Sequence, residues 1–432
     1  MSVALLGVAV VPVVGTVGGD ARWVAALGAA IAHGGGVPVG IPFASATTAG
    51  WHDPLVLAAL SFHGLYVLGG DRALGFAQMG AVATAFIVLA RDARRAGATD
   101  SGAALALLCL LVGALPALAI VRLQLFSIAL FPLLLALLRA EHRAPSRRIW
   151  LAAPLLALWS NLHGGVLVGM TLTLIYLLLD RRRVSGTAAA VVMASSCVAA
   201  CFLNSALLET PWYFTRLLQN EVAVQHVGLW RHFSFRSPWD LALLGAAVAL
   251  VVAGRRSRPP GWEVVSMILL AGAAADASRG GVWLLAMLVA PAAAGLSAPP
   301  LRRVWFALTT AAVVAAVGAS VAWPDAPERG VVEAAVTRAH GRPILAEGSL
   351  AEEVAVRGGR IWVGNPLDAF ARADQRVYVA WLRGEPLGDR ALRHSDLVLV
   401  LPRSLAAARI GRVARARLVV SSRGAMLYAL SR

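Results

Sequence analysis

Long apolar runs, joined by short arginine-bearing connections, constrain this chain more than any other feature. They are Ser2–Gly18, Pro54–Leu68, Ala73–Ala90, Ala103–Val121, Leu123–Leu138, Ile149–Ser160, Gly164–Leu179, Thr187–Leu203, Leu241–Ala253, Val264–Ala275, Val282–Leu296 and Trp305–Ala322. A helix crossing the hydrocarbon core needs about 20 apolar residues, so the pattern predicts an α-helical polytopic membrane bundle of about 11–13 helices. Composition agrees. The chain is 59% hydrophobic and 14% charged, with mean hydropathy +0.71, whereas a soluble domain is about 25% charged. The first run leads into an acidic loop with no basic stretch before it, so it is expected to remain as an uncleaved anchor.

The net charge of +16 resembles that of a nucleic-acid binder. Its distribution points elsewhere. All 39 basic residues are arginine, and many sit in the short connections, as the positive-inside rule requires. No nucleic-acid partner is expected. The clusters Arg91/Arg94/Arg95, Arg139/Arg143/Arg147/Arg148, Arg181–Arg183, Arg255/Arg256/Arg258 and Arg302/Arg303 are assigned to the cytoplasm. Alternation then puts Arg122, Asn161-Leu162-His163, the loop Asn204–Trp239, Arg279 and everything after Ala322 on the outer side. Pro54–Leu68 is one crossing too many, which makes it a re-entrant or interfacial helix, or else places the Arg91 cluster outside.

From about Asp325 the apolar runs shorten and charges become frequent. Ile344–Ala346, Ile361–Val363, Asp396–Leu401 and Leu418–Val420 read as strands. Glu328–His340, Leu350–Arg357, Leu367–Arg383 and Arg403–Arg412 read as helices. The expected organisation is a transmembrane domain over residues 1–323, with outer loops 19–53 and 204–239, and a small extracytoplasmic α/β domain over residues 324–432.

Polar residues inside such a chain mark where chemistry can occur, because burying them in lipid is expensive. Trp159-Ser160-Asn161-Leu162-His163-Gly164-Gly165 breaks an apolar hairpin. Asp20 follows the first run directly. It suits a general base or a metal ligand, and equally the cap of a helix over Ala21–Ala32. In Trp51-His52-Asp53-Pro54, His52 and Asp53 could join Asp20, and Asp53-Pro54 also fits a helix start. Arg122 and Arg279 lie outside against the charge trend. Each reads as a ligand for a lipid phosphate or as an arginine snorkelling to headgroups. Arg279 has Asp276 nearby as an alternative partner.

The loop Asn204–Trp239 mixes aromatics with Arg216, His226, Arg231 and His232. It reads as a sugar- and phosphate-binding surface or as an aromatic belt. Cys109, Cys197 and Cys201 lie in apolar runs and read as buried thiols, not as a metal site or disulfide. No Walker A loop, dinucleotide fingerprint or His-Glu-x-x-His occurs.

Asp20 after the first run, Arg122-Leu123-Gln124-Leu125-Phe126-Ser127, Trp159 to Gly165, Leu203-Asn204 opening an aromatic loop, and Ser278-Arg279 occur in that order. Together they resemble bacterial relatives of the GT-C-fold glycosyltransferases, which use dolichyl- or polyprenyl-phosphate sugars. Gly364-Asn365-Pro366-Leu367-Asp368-Ala369-Phe370 and Tyr378-Val379-Ala380-Trp381-Leu382 resemble the tail of such proteins. In that family an acid in the first outer loop is catalytic or metal-binding, and many members carry an acidic pair. The matching residue is Asp20, and Asp53 lies farther along the chain.

The resemblance implies an inverting transfer from a polyprenyl-phosphate sugar to an envelope glycan or protein acceptor. Asp20 would act as base, with Arg122, Arg279, Arg216 or Arg231 on the phosphate. Asn161, His163, His52 and Asp53 would line the substrate site. No cofactor is required, although a divalent metal is compatible. Membrane lipids are the other expected partner. The competing readings are a non-catalytic scaffold or lipid-glycan binder of the cell envelope and, since no inverted repeat is visible, less favourably a transporter.

Overall fold

The computed structural model describes residues 7–9, 11, 13, 15–18, 20–48, 50–226, 230–296 and 328–431. Most of the expected run Ser2–Gly18 and all of Trp305–Ala322 lie outside the described residues. The main helices are α1 (Ala21–Gly34), α2 (Val56–Arg95), α3 (Asp100–Gly113), α4 (Gln124–Arg143), α5 (Ala152–Ser160), α6 (Val166–Tyr176), α7 (Thr187–Ala200), α8 (Thr210–Gln219), α9 (Pro238–Gly254), α10 (Gly261–Asp276), α11 (Gly281–Gly295), α12 (Arg329–Ala339), α13 (Ser349–Val356) and α14 (Arg372–Leu382). The chain forms two compact units. One comprises Met1–Thr16, Asp71–Asn204 and His226–Ala322; the other comprises Val17–Gly70, Ser205–Gln225 and Trp323–Arg432.

The first unit is helical, and its helices follow the apolar runs within a few residues. Three described helical stretches are long and apolar enough to cross a membrane: Val56–Arg95, Gln124–Arg143 and Ser278–Gly295. On α9, Leu241, Leu244, Val248, Val251 and Val252 are exposed, while Leu243, Ala246 and Leu250 are buried. The 3–4 spacing puts the exposed set on one face, which in water would be an unfavourable apolar stripe and in lipid is solvated.

At 40 residues, α2 would be about 60 Å long if straight, twice the thickness of the hydrocarbon core. It is not one continuous helix. Gly69 and Gly70 break it, Gly70 with φ of 57° and ψ of −141°, a conformation open to glycine. The break separates the expected Pro54–Leu68 and Ala73–Ala90 segments and coincides with the division between the units.

Two arginines read from sequence as loop charges are instead buried. Arg139, 3% exposed, gives Nε and Nη2 to the Glu263 carboxylate at 3.1 and 2.8 Å. Its Nη1 reaches Asp92 at 2.9 Å, and Nη2 also reaches the Met287 carbonyl at 2.8 Å. Arg143 contacts the other Asp92 oxygen. Arg181 pairs with buried Glu141 at 3.3 Å and donates to the Ser146 carbonyl. These charges tie α2, α4, α10 and α11 together, and the Arg139 charge is tolerated because its donors meet acceptors. All three cysteines are unbridged; Cys197 and Cys201 are buried, as read from the sequence, whereas Cys109 is half-buried.

The second unit contains a five-stranded mixed sheet: β1 (Pro343–Ala346), β2 (Arg360–Ile361), β3 (Leu397–Val400), β4 (Ala416–Ser421) and β5 (Met426–Leu430). The order is β2-β1-β3-β5-β4. β1 pairs in parallel with β2 and β3, and β5 is antiparallel to both β3 and β4. The sequence revealed four of these strands, and β5 is the addition. β1 and β3 are continuous apolar runs because both faces are covered. Val331, Val332 and Ala335 of α12, with Leu350 and Val354 of α13, pack on Ile344, Ala346, Leu397 and Leu399.

Residues far upstream complete this unit. Phe43–Ala46 runs alongside β2: Ile361 N–H donates to Phe43 O at 2.9 Å, and Ser45 N–H to Ile361 O at 2.8 Å. Helix α1 crosses the first part of α2 so closely that a Cβ on Gly28 would lie 2.0 Å from the Ala59 carbonyl oxygen. Buried Arg22 of α1 holds Glu353 of α13 at 2.8 Å.

Candidate functional site

The polar break is a tight turn between α5 and α6. Helix α5 ends at Ser160, and the Asn161 amide closes the end by donating to Ala157 O at 2.9 Å and to Leu203 O at 2.6 Å. Asn161 therefore anchors the turn to the end of α7, with its donors engaged by backbone.

The orientation of His163 is fixed by groups whose roles are known. Gly165 N–H can only donate, and it reaches His163 Nδ1 at 3.0 Å. The Ser127 hydroxyl lies 2.6 Å from the same nitrogen. Buried Trp159 Nε1–H, also only a donor, gives its proton to Ser127 Oγ at 2.7 Å. The chain therefore runs from Trp159 to Ser127 to His163 Nδ1. Nδ1 is an acceptor, so the neutral ring carries its proton on Nε2. Gly165 is required here, because a Cβ would sit 2.6 Å from Ser127 Oγ and 2.8 Å from Nδ1. Gly169, one turn into α6, lets the Trp159 ring pack where a Cβ would meet it at 2.5 Å.

Burial, followed by the charges of Arg279 and Arg122, pushes the His163 pKa down to about 3. Both arginines thus act on the imidazole. Arg122 is buried, in the turn before α4. Arg279 stands in the short turn Ser278–Gly280, its guanidinium 3.5 Å from the centroid of the Trp230 ring. Two guanidinium groups and an Nε2–H make a set of donors suited to an anion, and Arg supports bidentate contact with phosphate oxygens.

The second unit carries the opposite chemistry. Asp20 stands at the N-cap of α1 without a side-chain cap bond. Asp53, 3% exposed, accepts from Leu55 N–H at 3.0 Å. Burial raises its pKa to about 7, against the Leu55 bond, with a further push from Asp368. Asp368 accepts from Trp51 Nε1 at 3.0 Å, and burial raises its pKa to about 6, opposed by that bond and by Arg216.

Glu352 accepts from Asn365 Nδ2 at 2.6 Å through Oε1; its Oε2 has no hydrogen-bond partner among the described residues. Burial and Asp20 raise the Glu352 pKa well above the usual range. Burial and the charges of Asp368, Asp53 and Asp20 do the same to the Tyr213 phenol. Asp20, Asp53 and Asp368 are therefore electrostatic neighbours of Tyr213, and Asp20 also acts on Glu352, where Arg22 opposes it. Such oxygen donors are of the hard type, but among the described residues no three of these acids present ligand atoms close enough to share one ion.

The other expected site residues have structural partners. Arg231 forks onto Asp240 at 2.7 and 2.9 Å and reaches Ser237 Oγ at 3.0 Å, securing the start of α9. His52 Nδ1 is 2.9 Å from Glu209. Arg216 donates to Gly50 O at 3.1 Å. Sequence reasoning missed Glu352, Asp368, Tyr213 and the Ser127–Trp159 relay. Asp368 and Asn365 lie in the Gly364–Phe370 motif, and Ser127 and Trp159 lie in the two quoted polar motifs, so a signal existed for those.

No protein-family model matches the chain, and no curated protein does. Solved structures do. ArnT from Cupriavidus metallidurans bound to undecaprenyl phosphate superposes with a TM-score of 0.55 at 14% identity, covering 99% of this chain and 96% of that one. The arabinofuranosyltransferase AftD from Mycobacteria gives a TM-score of 0.55 at 15% identity, with all of this chain aligned to 41% of AftD. At these identities the similarity establishes the fold: this is a membrane protein with the GT-C glycosyltransferase fold.

Proposed function

We propose that this chain is an inverting membrane glycosyltransferase that moves a sugar from a polyprenyl-phosphate carrier to an envelope glycan or protein acceptor at the outer membrane face. The multi-pass helices hold it in the cell membrane, and the α/β unit is assigned to the extracytoplasmic side. The observation that carries the reading is the donor edge formed by His163 under the charges of Arg122 and Arg279. A ring fixed as Nε2–H stays neutral beside two cations and adds a hydrogen bond where a third full charge would be repelled. The carrier phosphate carries negative charge in the complex and gains more as the sugar departs, so these donors are worth most in the transition state.

In this reaction the acceptor hydroxyl loses its proton to Asp20 and attacks the anomeric carbon. The bond from that carbon to the phosphate oxygen breaks, and polyprenyl phosphate leaves. Ser127 and Trp159 orient His163, while Asn161 holds the turn in place.

Transfer from polyprenyl-phosphate sugars should be measured for wild type, Asp20→Asn and Arg122→Gln/Arg279→Gln. Loss of transfer in the first with carrier binding retained, and loss of carrier binding in the second, are expected. Carrier binding without transfer in wild type over a panel of sugars and acceptors would favour the lipid-glycan-binding scaffold.

A further inference from the structure

A different cluster lies in the aromatic loop region of the first unit. His226, His232 and Asp276 can each present one ligand atom so that all lie within 4.8 Å of one another, and all three side chains are exposed. From this juxtaposition we infer a binding site for a zinc-class divalent ion, with two imidazoles and one carboxylate as ligands.

The hydrogen bonds around the rings support it. His232 Nδ1 is 2.9 Å from the Asp276 carbonyl, and His226 Nδ1 is 3.3 Å from the Trp230 carbonyl. Carbonyls only accept, so each Nδ1 carries the proton and each Nε2 keeps a lone pair; His232 Nδ1 also lies 3.7 Å from the Asp276 carboxylate, which brings that acid to the ring. This is the tautomer that metal-binding histidines adopt, with the far N–H spent on a backbone oxygen. The rings stack with centroids 3.6 Å apart and planes at 27°, an arrangement that two imidazolium ions would oppose.

Two local oddities gain a cause from a bound cation. Asp276 is the last residue of α10, where the helix dipole disfavours a carboxylate. His226 has a φ of 49°, in the left-handed region that L side chains seldom occupy. A cation held by both offsets the first and restrains the second.

Nitrogen-rich donors of this kind select zinc, nickel or copper over magnesium or calcium. This separates the cluster from the all-oxygen acids around Asp20. Three protein ligands leave an open position for water or an oxyanion. The site also has a structural reach. Trp230, whose carbonyl holds His226, carries the Arg279 guanidinium on its ring. The ion would therefore fix the platform beneath Arg279, and the proposal needs no assumption about the transfer reaction.

The test uses the full chain, purified in detergent without a polyhistidine tag, stripped with chelator and titrated with Zn2+. Stoichiometric zinc is expected, with excess Mg2+ failing to compete. His226→Ala, His232→Ala and Asp276→Asn should each weaken zinc binding at least about tenfold. His226→Cys, which restores a zinc ligand, should recover it, so that loss in the alanine variant is not a folding defect. Cobalt in place of zinc should give the strong visible absorption of a four-coordinate site. Zinc affinity unchanged in the His226→Ala/His232→Ala variant, or displacement of zinc by Mg2+, would overturn the assignment.

Discussion

The turn around His163 and the acids around Tyr213 are opposites. The first collects donors: two arginines and an imidazole whose pKa falls to about 3. The second collects acceptors: carboxyl groups whose pKa values rise, to about 7 at Asp53 and about 6 at Asp368. In both, burial is the largest cause; the arginines add to it at His163, and Asp368 adds to it at Asp53. A structural cluster such as Arg139 with Asp92 and Glu263 instead matches each donor with an acceptor. The donor turn favours an oxyanion. The acid cluster favours protons or hydroxyls.

The contrast can be broken first through catalysis. Asp20→Asn should reduce the transfer rate by about 10²–10⁴-fold if Asp20 is the base, read as kcat with carrier affinity unchanged. Equal rates would remove Asp20 from that role. Next comes a structural control. Glu263→Gln strands part of the charge of Arg139 and should destabilise the first unit by about 3–5 kcal/mol, measured by denaturation in detergent. If it is silent, Arg139 has found other partners and the matched cluster is not a unit.

Smaller effects follow from pH, and the two regions should respond with opposite sign. Asp53 and Asp368 have raised pKa values in the folded state. Their contribution to stability is full below the unfolded value, about 3.9. It is lost as pH rises toward 6 and 7. Asp53→Asn should flatten that slope. His163 has a depressed value. Its contribution is full above the unfolded value, about 6.5, and is lost as pH falls toward 3. A His163→Gln variant that leaves the acid-side slope unchanged would show that His163 is not held neutral. Smallest of all is the exposed pair of His52 and Glu209. His52→Ala should change stability by less than about 1 kcal/mol and leave transfer intact.

The sequence disclosed what depends on local order. Apolar runs located the helices of the first unit, and alternation of short strands and helices located most of the sheet. The turn at Asn161–Gly165 stood out because polar groups are costly between apolar runs. What it could not disclose depends on distant segments meeting. Asp20, Asp53, Tyr213, Glu352 and Asp368 come from regions separated by up to hundreds of residues, so only Asp53 was set beside Asp20 from the sequence. Arg139 and Arg181 were assigned to loops because charge counting sees the arginine and not Glu263 or Glu141. Arg231 looked available because its partner Asp240 lies just past the loop Asn204–Trp239, in the first turn of the next helix.

The most direct measurement is the affinity for undecaprenyl phosphate of the wild-type protein and of Arg122→Gln/Arg279→Gln in nanodiscs of neutral lipid. Loss of charge-assisted contacts of about 1.5–3 kcal/mol each predicts binding weakened by at least about a hundredfold, with the His163 pKa rising from its depressed value as the two cations are removed. Unchanged affinity for the carrier would contradict the account, because the donor edge would then have no phosphate to hold.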